Sequence, residues 1–160
     1  MVLCGQSIWD RKPIRDMQQR STFPLYSGVN TTYGLGPAGY DLRLDEVEGY
    51  AKGERVFVLA PGQFVLASAM EQFQMPDDLL GVVHDKSTLA RLGLAVQNTV
   101  IEPGWRGYLT LELTNHSDEP LTLIRGIGIC QVIFHLLDAP SSVAYDGKYQ
   151  DQERGPQGAR

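Results

Sequence analysis

The sequence predicts an all-β protein with short helices, and three observations carry that expectation. Short apolar runs alternate with turn signals roughly every 8–12 residues, the spacing of a sandwich or barrel. Gly 17 and Pro 9 in 160 residues supply the turns such a fold consumes. Tyr108–Thr114 also alternates cleanly, with Leu109, Leu111 and Leu113 on one side and Tyr108, Thr110, Glu112 and Thr114 on the other. That is the period-two signature of a half-buried strand.

Taken in order, the first twenty residues read as locally helical. Ser7 can cap a short run through Ile8 and Trp9 before Pro13 interrupts it. Phe23 to Gly39 is rich in Gly, Pro, Ser, Thr and Asn without a period, which predicts an ordered loop or irregular β segment. Strands follow at Tyr40–Leu44, Arg55–Leu59, Gln63–Ser68, Leu80–His84, Leu94–Gln97, Tyr108–Thr114, Leu121–Ile124 and Ile129–Leu136. Pro61-Gly62, Pro76-Asp77, Pro103-Gly104, Asn115–Pro120 and Arg125-Gly126 break them. Between two of these strands, Lys86–Gly93 is a short-helix candidate, with Ser87 or Thr88 as N-cap and Gly93 ending it in the left-handed conformation. No repeat or second-domain boundary interrupts residues 1–144. Residues 145–160 hold Gly147, Gly155, Pro156, Gly158 and three glutamines, too little to build a core. They are expected to be mobile on their own and able to order as a lid over a ligand.

Charge and composition exclude several classes. A net charge of −5 argues against a general binder of polymeric nucleic acid. No apolar run approaches the roughly 18 residues of a membrane span, and the N-terminus lacks the regions of a signal peptide. Cys4 and Cys130 form no CxxC pair and read as packing residues, which suits a reducing cytoplasm. His84, His116 and His135 are scattered, with no HxE and PCxxC of the zinc deaminases. Nucleophile elbows, P-loops and GxGxxG fingerprints are missing too. The remaining chemistry rests on carboxylates, hydroxyls and basic residues. Glu112 fits either an exposed sheet face or an acid aimed into a cleft. The start of the Lys86–Gly93 helix fits either an ordinary cap or a phosphate grip of N–H groups, hydroxyls and Lys86, with Arg91 one turn on.

Four separated segments together resemble one family. They are Ala38-Gly39-Tyr40-Asp41-Leu42-Arg43-Leu44, then Lys86-Ser87-Thr88-Leu89-Ala90-Arg91-Leu92-Gly93-Leu94, then Ile101-Glu102-Pro103-Gly104-Trp105-Arg106-Gly107 with Leu109-Thr110-Leu111-Glu112-Leu113, and last Tyr145-Asp146-Gly147-Lys148-Tyr149-Gln150-Asp151-Gln152. Ordered in this way they resemble the dCTP deaminase and dUTPase superfamily, closer to the deaminase branch. The resemblance implies a distorted β-barrel or jelly-roll subunit, a homotrimer, and active sites between subunits. It implies a deoxycytidine or deoxyuridine triphosphate as ligand, with Mg²⁺ on the phosphates and no zinc.

By the same resemblance Glu112 is general base and acid, Ser87 helps hold the attacking water and Arg91 supports the site. Lys86, Thr88, Leu89, Ala90, Thr110 and Leu111 belong to the substrate-binding segments. Glu102 stands at the sugar-binding acid, usually Asp. Tyr145, Lys148 and Gln152 cover base and triphosphate, and Tyr40 and Asp41 are structural at the trimer interface. Between Gly93 and Glu102 the base-reading hairpin is about two residues shorter than in the relatives, and Asn98 is the alternative reader there, since an amide both donates and accepts. The expected reaction is dCTP to dUTP and ammonia. A dUTPase or a bifunctional enzyme releasing pyrophosphate is the alternative, and a nucleotide-binding regulator without turnover the third.

Overall fold

Alternating apolar residues close most of the chain into one curled sheet. The computed structural model describes residues 1–160 except Ser27 and Asn98, and for Tyr26 the backbone alone. The chain runs α1 (Gly5–Arg11), β1 (Ser21–Tyr26), β2 (Val29–Gly36), β3 (Gly39–Val47), β4 (Val56–Leu59), β5 (Phe64–Gln74) and β6 (Leu79–Asp85). It continues through α2 (Ser87–Ala90), β7 (Leu94–Val96), β8 (Val100–Ile101), β9 (Arg106–Asn115), β10 (Leu121–Ile124) and β11 (Gly128–Leu136). The main sheet has the order β7-β9-β5-β3-β11-β6-β8, with β2 on β3 and β1 on β2, while β10 pairs with β4 separately.

β3 makes the curl. Its first half pairs with β2 and β11, from Gly39↔Gly36 to Arg43↔Gly128, and its second half crosses to β5 at Leu44↔Ala69 and Val47↔Ala67. A strand shared in this way is covered on both faces. Tyr40, Leu42 and Leu44 fill the core, and Asp41 and Asp45 on the other face are 2% and 0% exposed. Buried charges are tolerated only when paired, and each here has a partner. Asp41 accepts from Lys86 Nζ at 2.5 Å, from Thr32 and from Gln131. Arg43 Nε donates to Glu71 at 2.8 Å, and Asp45 takes Arg125 at 2.6 Å. Tyr40 and Asp41 are thus buried within this chain.

Several local expectations need correction. Of the two alternatives for Phe23 to Gly39 the irregular β segment holds: β1 and β2 pair antiparallel, with a register irregularity between Pro24 and Tyr26. Ser7 lies inside α1, whose N-cap is Cys4. Cys4 is exposed, so only the buried Cys130 is a packing residue. Neither Ser87 nor Thr88 caps α2: Lys86 holds that place without a side-chain cap bond. Gly93 does take positive φ, at +94°, where a Cβ would meet Ser117 at 2.7 Å. The strand expected to end at Ser68 runs on to Gln74, because a register shift between Ser68 and Gln72 keeps it paired with β9. Among the described residues no helix is long and apolar enough to cross a membrane.

Candidate active site

The site grows from the alternation of β9. Leu109, Leu111 and Leu113 enter the core, so Thr110 and Glu112 face the other way. There they line a cavity of about 530 Å³ together with Phe64, Leu66, Ile101 and Trp105. The volume lies within the range of ligand pockets, and the wall is mainly apolar. Glu112 Oε2 is buried and has no hydrogen-bond partner among the described residues. Burial pushes the Glu112 carboxyl above its ordinary range, because an apolar wall solvates the charged form poorly. Thr99 Oγ1, in the same wall, is also buried and unpartnered. Two residues of one cavity wall thus each hold a buried polar atom without a partner among the described residues, and such atoms call for a functional or bound-group explanation.

Glu102 lines the same cavity. It opens the Glu102–Trp105 turn, closed by Trp105 N–H donating to the Glu102 carbonyl at 3.1 Å. Gly104 makes the turn at φ +78°, and Trp105 then packs on Phe73, 5.8 Å between ring centroids.

Residues 145–160 are seated across this cavity in their own chain. Trp105 Nε1–H donates to the Tyr149 carbonyl at 2.8 Å, and Tyr108 N–H to the Gln152 carbonyl at 3.0 Å. Gln152 Nε2 and the Gln157 N–H both reach Thr110 Oγ1, at 2.5 and 3.0 Å. Tyr145, Tyr149, Gln152, Gln157 and Ala159 thereby complete the wall. Lys148 does not: its Nζ bonds the Arg160 carbonyl and lies 5.1 Å from the Tyr149 ring centroid. Arg106 is likewise engaged, with Asp151 at 2.9 Å.

The Lys86–Arg91 segment lies elsewhere in the chain. α2 precedes β7, which pairs with β9 from Leu94↔Asn115 to Val96↔Leu113, so the helix sits beyond the Asn115 end of β9. None of Lys86, Ser87, Thr88, Leu89, Ala90 or Arg91 lines the cavity. Lys86 is held by Asp41, Leu89 is a core side chain, and Ser87, Ala90 and Arg91 are exposed. The Leu111 side chain is in the core as well. Asn98 falls outside the described residues. One chain therefore brings together Glu112, Glu102, Thr110, Tyr145 and Gln152, and among the described residues no basic side chain lines their cavity.

A family profile described as dCTP deaminase-like matches residues 47–137, from the end of β3 through β11. The chain belongs to the dCTP deaminase-like family. A curated relative named dCTP deaminase, from Acidobacterium capsulatum, is 35% identical over 145 residues, covering 76% of this chain and 79% of its own. One named "dCTP deaminase, dUMP-forming", from Mycobacterium marinum, is 39% identical over 152 residues, covering 91% and 78%. Among solved structures, the 2′-deoxycytidine 5′-triphosphate deaminase of Agrobacterium tumefaciens superposes with a TM-score of 0.61 at 19% identity, over 84% of this chain and 47% of that one. These likenesses agree with the expected fold and family.

Within this dCTP deaminase-like chain, sequence reasoning missed Thr99, Tyr149, Gln157 and the apolar wall of Phe64 and Leu66. Gln157 carried no local signal, because its role is a backbone N–H. Phe64 carried none either: its 55% exposure on a strand, unusual for an aromatic, is visible only in the fold.

Proposed function

We propose that this chain deaminates dCTP to dUTP, with Glu112 as the general base and then the general acid. The single observation that carries the assignment to Glu112 is its buried, unpartnered carboxylate oxygen in an apolar cavity. Such a carboxylate binds a proton more readily than one in water, which brings its pKa closer to working pH. Glu112 takes a proton from a water as the oxygen adds to C4 of cytosine. It returns that proton to N3 of the ring, then carries the proton of the new C4 hydroxyl to the exocyclic amine, which leaves as ammonia as the C4–N bond breaks and the C4 carbonyl forms. The sum is dCTP plus water to dUTP plus ammonia. Glu102 holds the deoxyribose, and Tyr145 and Gln152 close over the base.

The cavity wall holds two carboxylates and, among the described residues, no cation, so one chain cannot neutralise a triphosphate. The exposed, hydroxyl-bearing and basic Ser87–Arg91 segment is what that cavity lacks. A homotrimer in which α2 of one copy faces the Glu112 cavity of the next supplies it, Ser87 to the water and Arg91 to the developing charge. Mg²⁺ enters with the substrate, on its phosphates. Among the described residues no three His, Cys, Asp or Glu side chains gather to hold a metal. A cytoplasmic location belongs to this reading, because deoxynucleoside triphosphates are made and consumed there.

Glu102 favours a second reading. An acid beside the sugar can also orient a water toward the α-phosphate, which would release pyrophosphate and give dUMP. Incubation with dCTP and with dUTP, followed for ammonia, uracil nucleotides and pyrophosphate, separates the cases. Ammonia and dUTP alone support deamination, and added pyrophosphate supports the bifunctional reading. Binding without any turnover leaves a nucleotide-binding regulator. Shared sites are tested by mixing Glu112→Gln with Arg91→Ala chains: activity returns on subunit exchange only if each copy contributes to its neighbour's site.

A further inference from the structure

We propose that Asp45, with Arg125 and Arg154, forms a clasp that holds the C-terminal tail over the Glu112 cavity, making Asp45 and Arg154 positioning residues for the reaction. The kinetic arm rests on the deaminase reading. The structural arm does not.

Asp45 stands near the end of β3 and is 0% exposed. Its Oδ1 accepts from Arg125 Nε at 2.9 Å and Nη2 at 2.6 Å, and also from Arg154 Nη2 at 3.1 Å. Its Oδ2 accepts from Arg154 Nε at 2.5 Å. Arg125 belongs to the turn before β11 and neutralises Asp45 from within the body of the subunit. Arg154 belongs to the tail. Its fork spans both carboxylate oxygens, the geometry that gives a guanidinium–carboxylate pair both strength and direction.

What the clasp positions is set by its place in the tail. Arg154 lies between Gln152 and Gln157, the two residues that bond Thr110 Oγ1. Thr110 is on the Glu112 face of β9, two residues away. Gly155 follows Arg154 at φ +97°, and a Cβ there would meet Glu46 Oε2 at 3.2 Å. The chain thus turns against the body at the clasp and returns to the same threonine, so one anchor fixes both tail contacts. Opening the tail leaves Asp45 with Arg125 alone and uncovers a wall of the cavity. No other acidic side chain bonds Arg154 among the described residues.

Arg154 is half exposed, so replacing it leaves the body folded. Arg154→Ala is expected to raise KM for dCTP at least tenfold with kcat within twofold. Arg154→Lys should fall between, since lysine keeps the charge and loses the fork. Asp45→Asn combined with Arg154→Ala should match Arg154→Ala within twofold, because the second change removes a partner already gone. Hydrogen exchange at the Tyr108 and Gln157 amides, which the seated tail protects, should accelerate at least tenfold in Arg154→Ala. Exchange within twofold of wild type, or an unchanged KM in an active enzyme, or multiplying effects of the two changes, overturns the clasp. A wild-type chain that turns over no dCTP removes the deaminase reading and leaves the exchange result to decide the clasp.

Discussion

Gly107→Ala gives a direct test of how the tail is seated. Gly107 holds φ +140° in β9, and a Cβ there would meet Gln152 N at 2.6 Å, its O at 2.8 Å and its Cα at 3.1 Å. The obstacle is backbone on both sides, so no flexible side chain can yield. Alanine therefore lifts the tail from β9 and breaks three bonds there, from Tyr108 N–H to Gln152 and from Gln152 and Gln157 to Thr110. At about 1 kcal/mol each the loss is about 3 kcal/mol, equivalent to roughly 100-fold in affinity. The assay is steady-state kinetics with dCTP beside thermal unfolding. KM should rise about 100-fold, while Tm falls by only a few degrees, since the contact displaced is with the tail backbone and no core side chain is removed. A wild-type KM in a folded Gly107→Ala protein would refute the reasoning, because the tail would then not need this close approach.

Further outcomes follow from the buried carboxylates. Glu112→Gln should lower kcat by about 10³-fold, within the range of acid–base catalysis, with nucleotide binding retained in calorimetry. An acid whose folded pKa is raised binds its proton more tightly folded than unfolded, so its ionisation above that interval costs stability. Glu112 is such an acid, and Glu112→Gln should accordingly unfold at neutral pH no earlier than wild type. The same shift places the acidic limb of kcat/KM above the roughly 4.3 of an ordinary glutamate, with activity rising as pH passes through it; a limb at or below that value contradicts a desolvated base. Arg43→Met leaves Glu71 buried without its cation and should destabilise by about 3 kcal/mol at neutral pH, in the range for a broken buried pair. Burial raises the Glu71 pKa, so that loss should shrink as acid protonates it, which denaturant titration at two pH values reads.

The β9 alternation made both the strand and the outward face of Glu112 legible, because a period of two in leucines leaves one face for the polar residues. The short helix and its Gly93 exit were legible from local cap signals, although its N-cap is Lys86 rather than Ser87 or Thr88. β1 and β2 were legible only as one of two alternatives, an irregular β segment, because Pro24 and a register shift leave no apolar period and their pairing is with each other and β3. The Asp45 clasp was illegible as well, since its three residues are 80 and 109 positions apart along the chain and only the fold joins them. Tail composition suggested mobility, yet Gly107, Trp105 and Thr110 provide a seat that composition cannot reveal. The Lys86–Arg91 segment and Glu112 were joined only through the family resemblance, and a single chain keeps them apart.

The central claim is that Glu112 drives hydrolytic loss of the cytosine amine. Purified wild-type and Glu112→Gln proteins incubated with dCTP and Mg²⁺, with ammonia and nucleotide products quantified together, test it most directly. The wild type should form one ammonia per uracil nucleotide, and the variant none above background. Wild-type protein that releases no ammonia, or a variant that releases it at the wild-type rate, would contradict it.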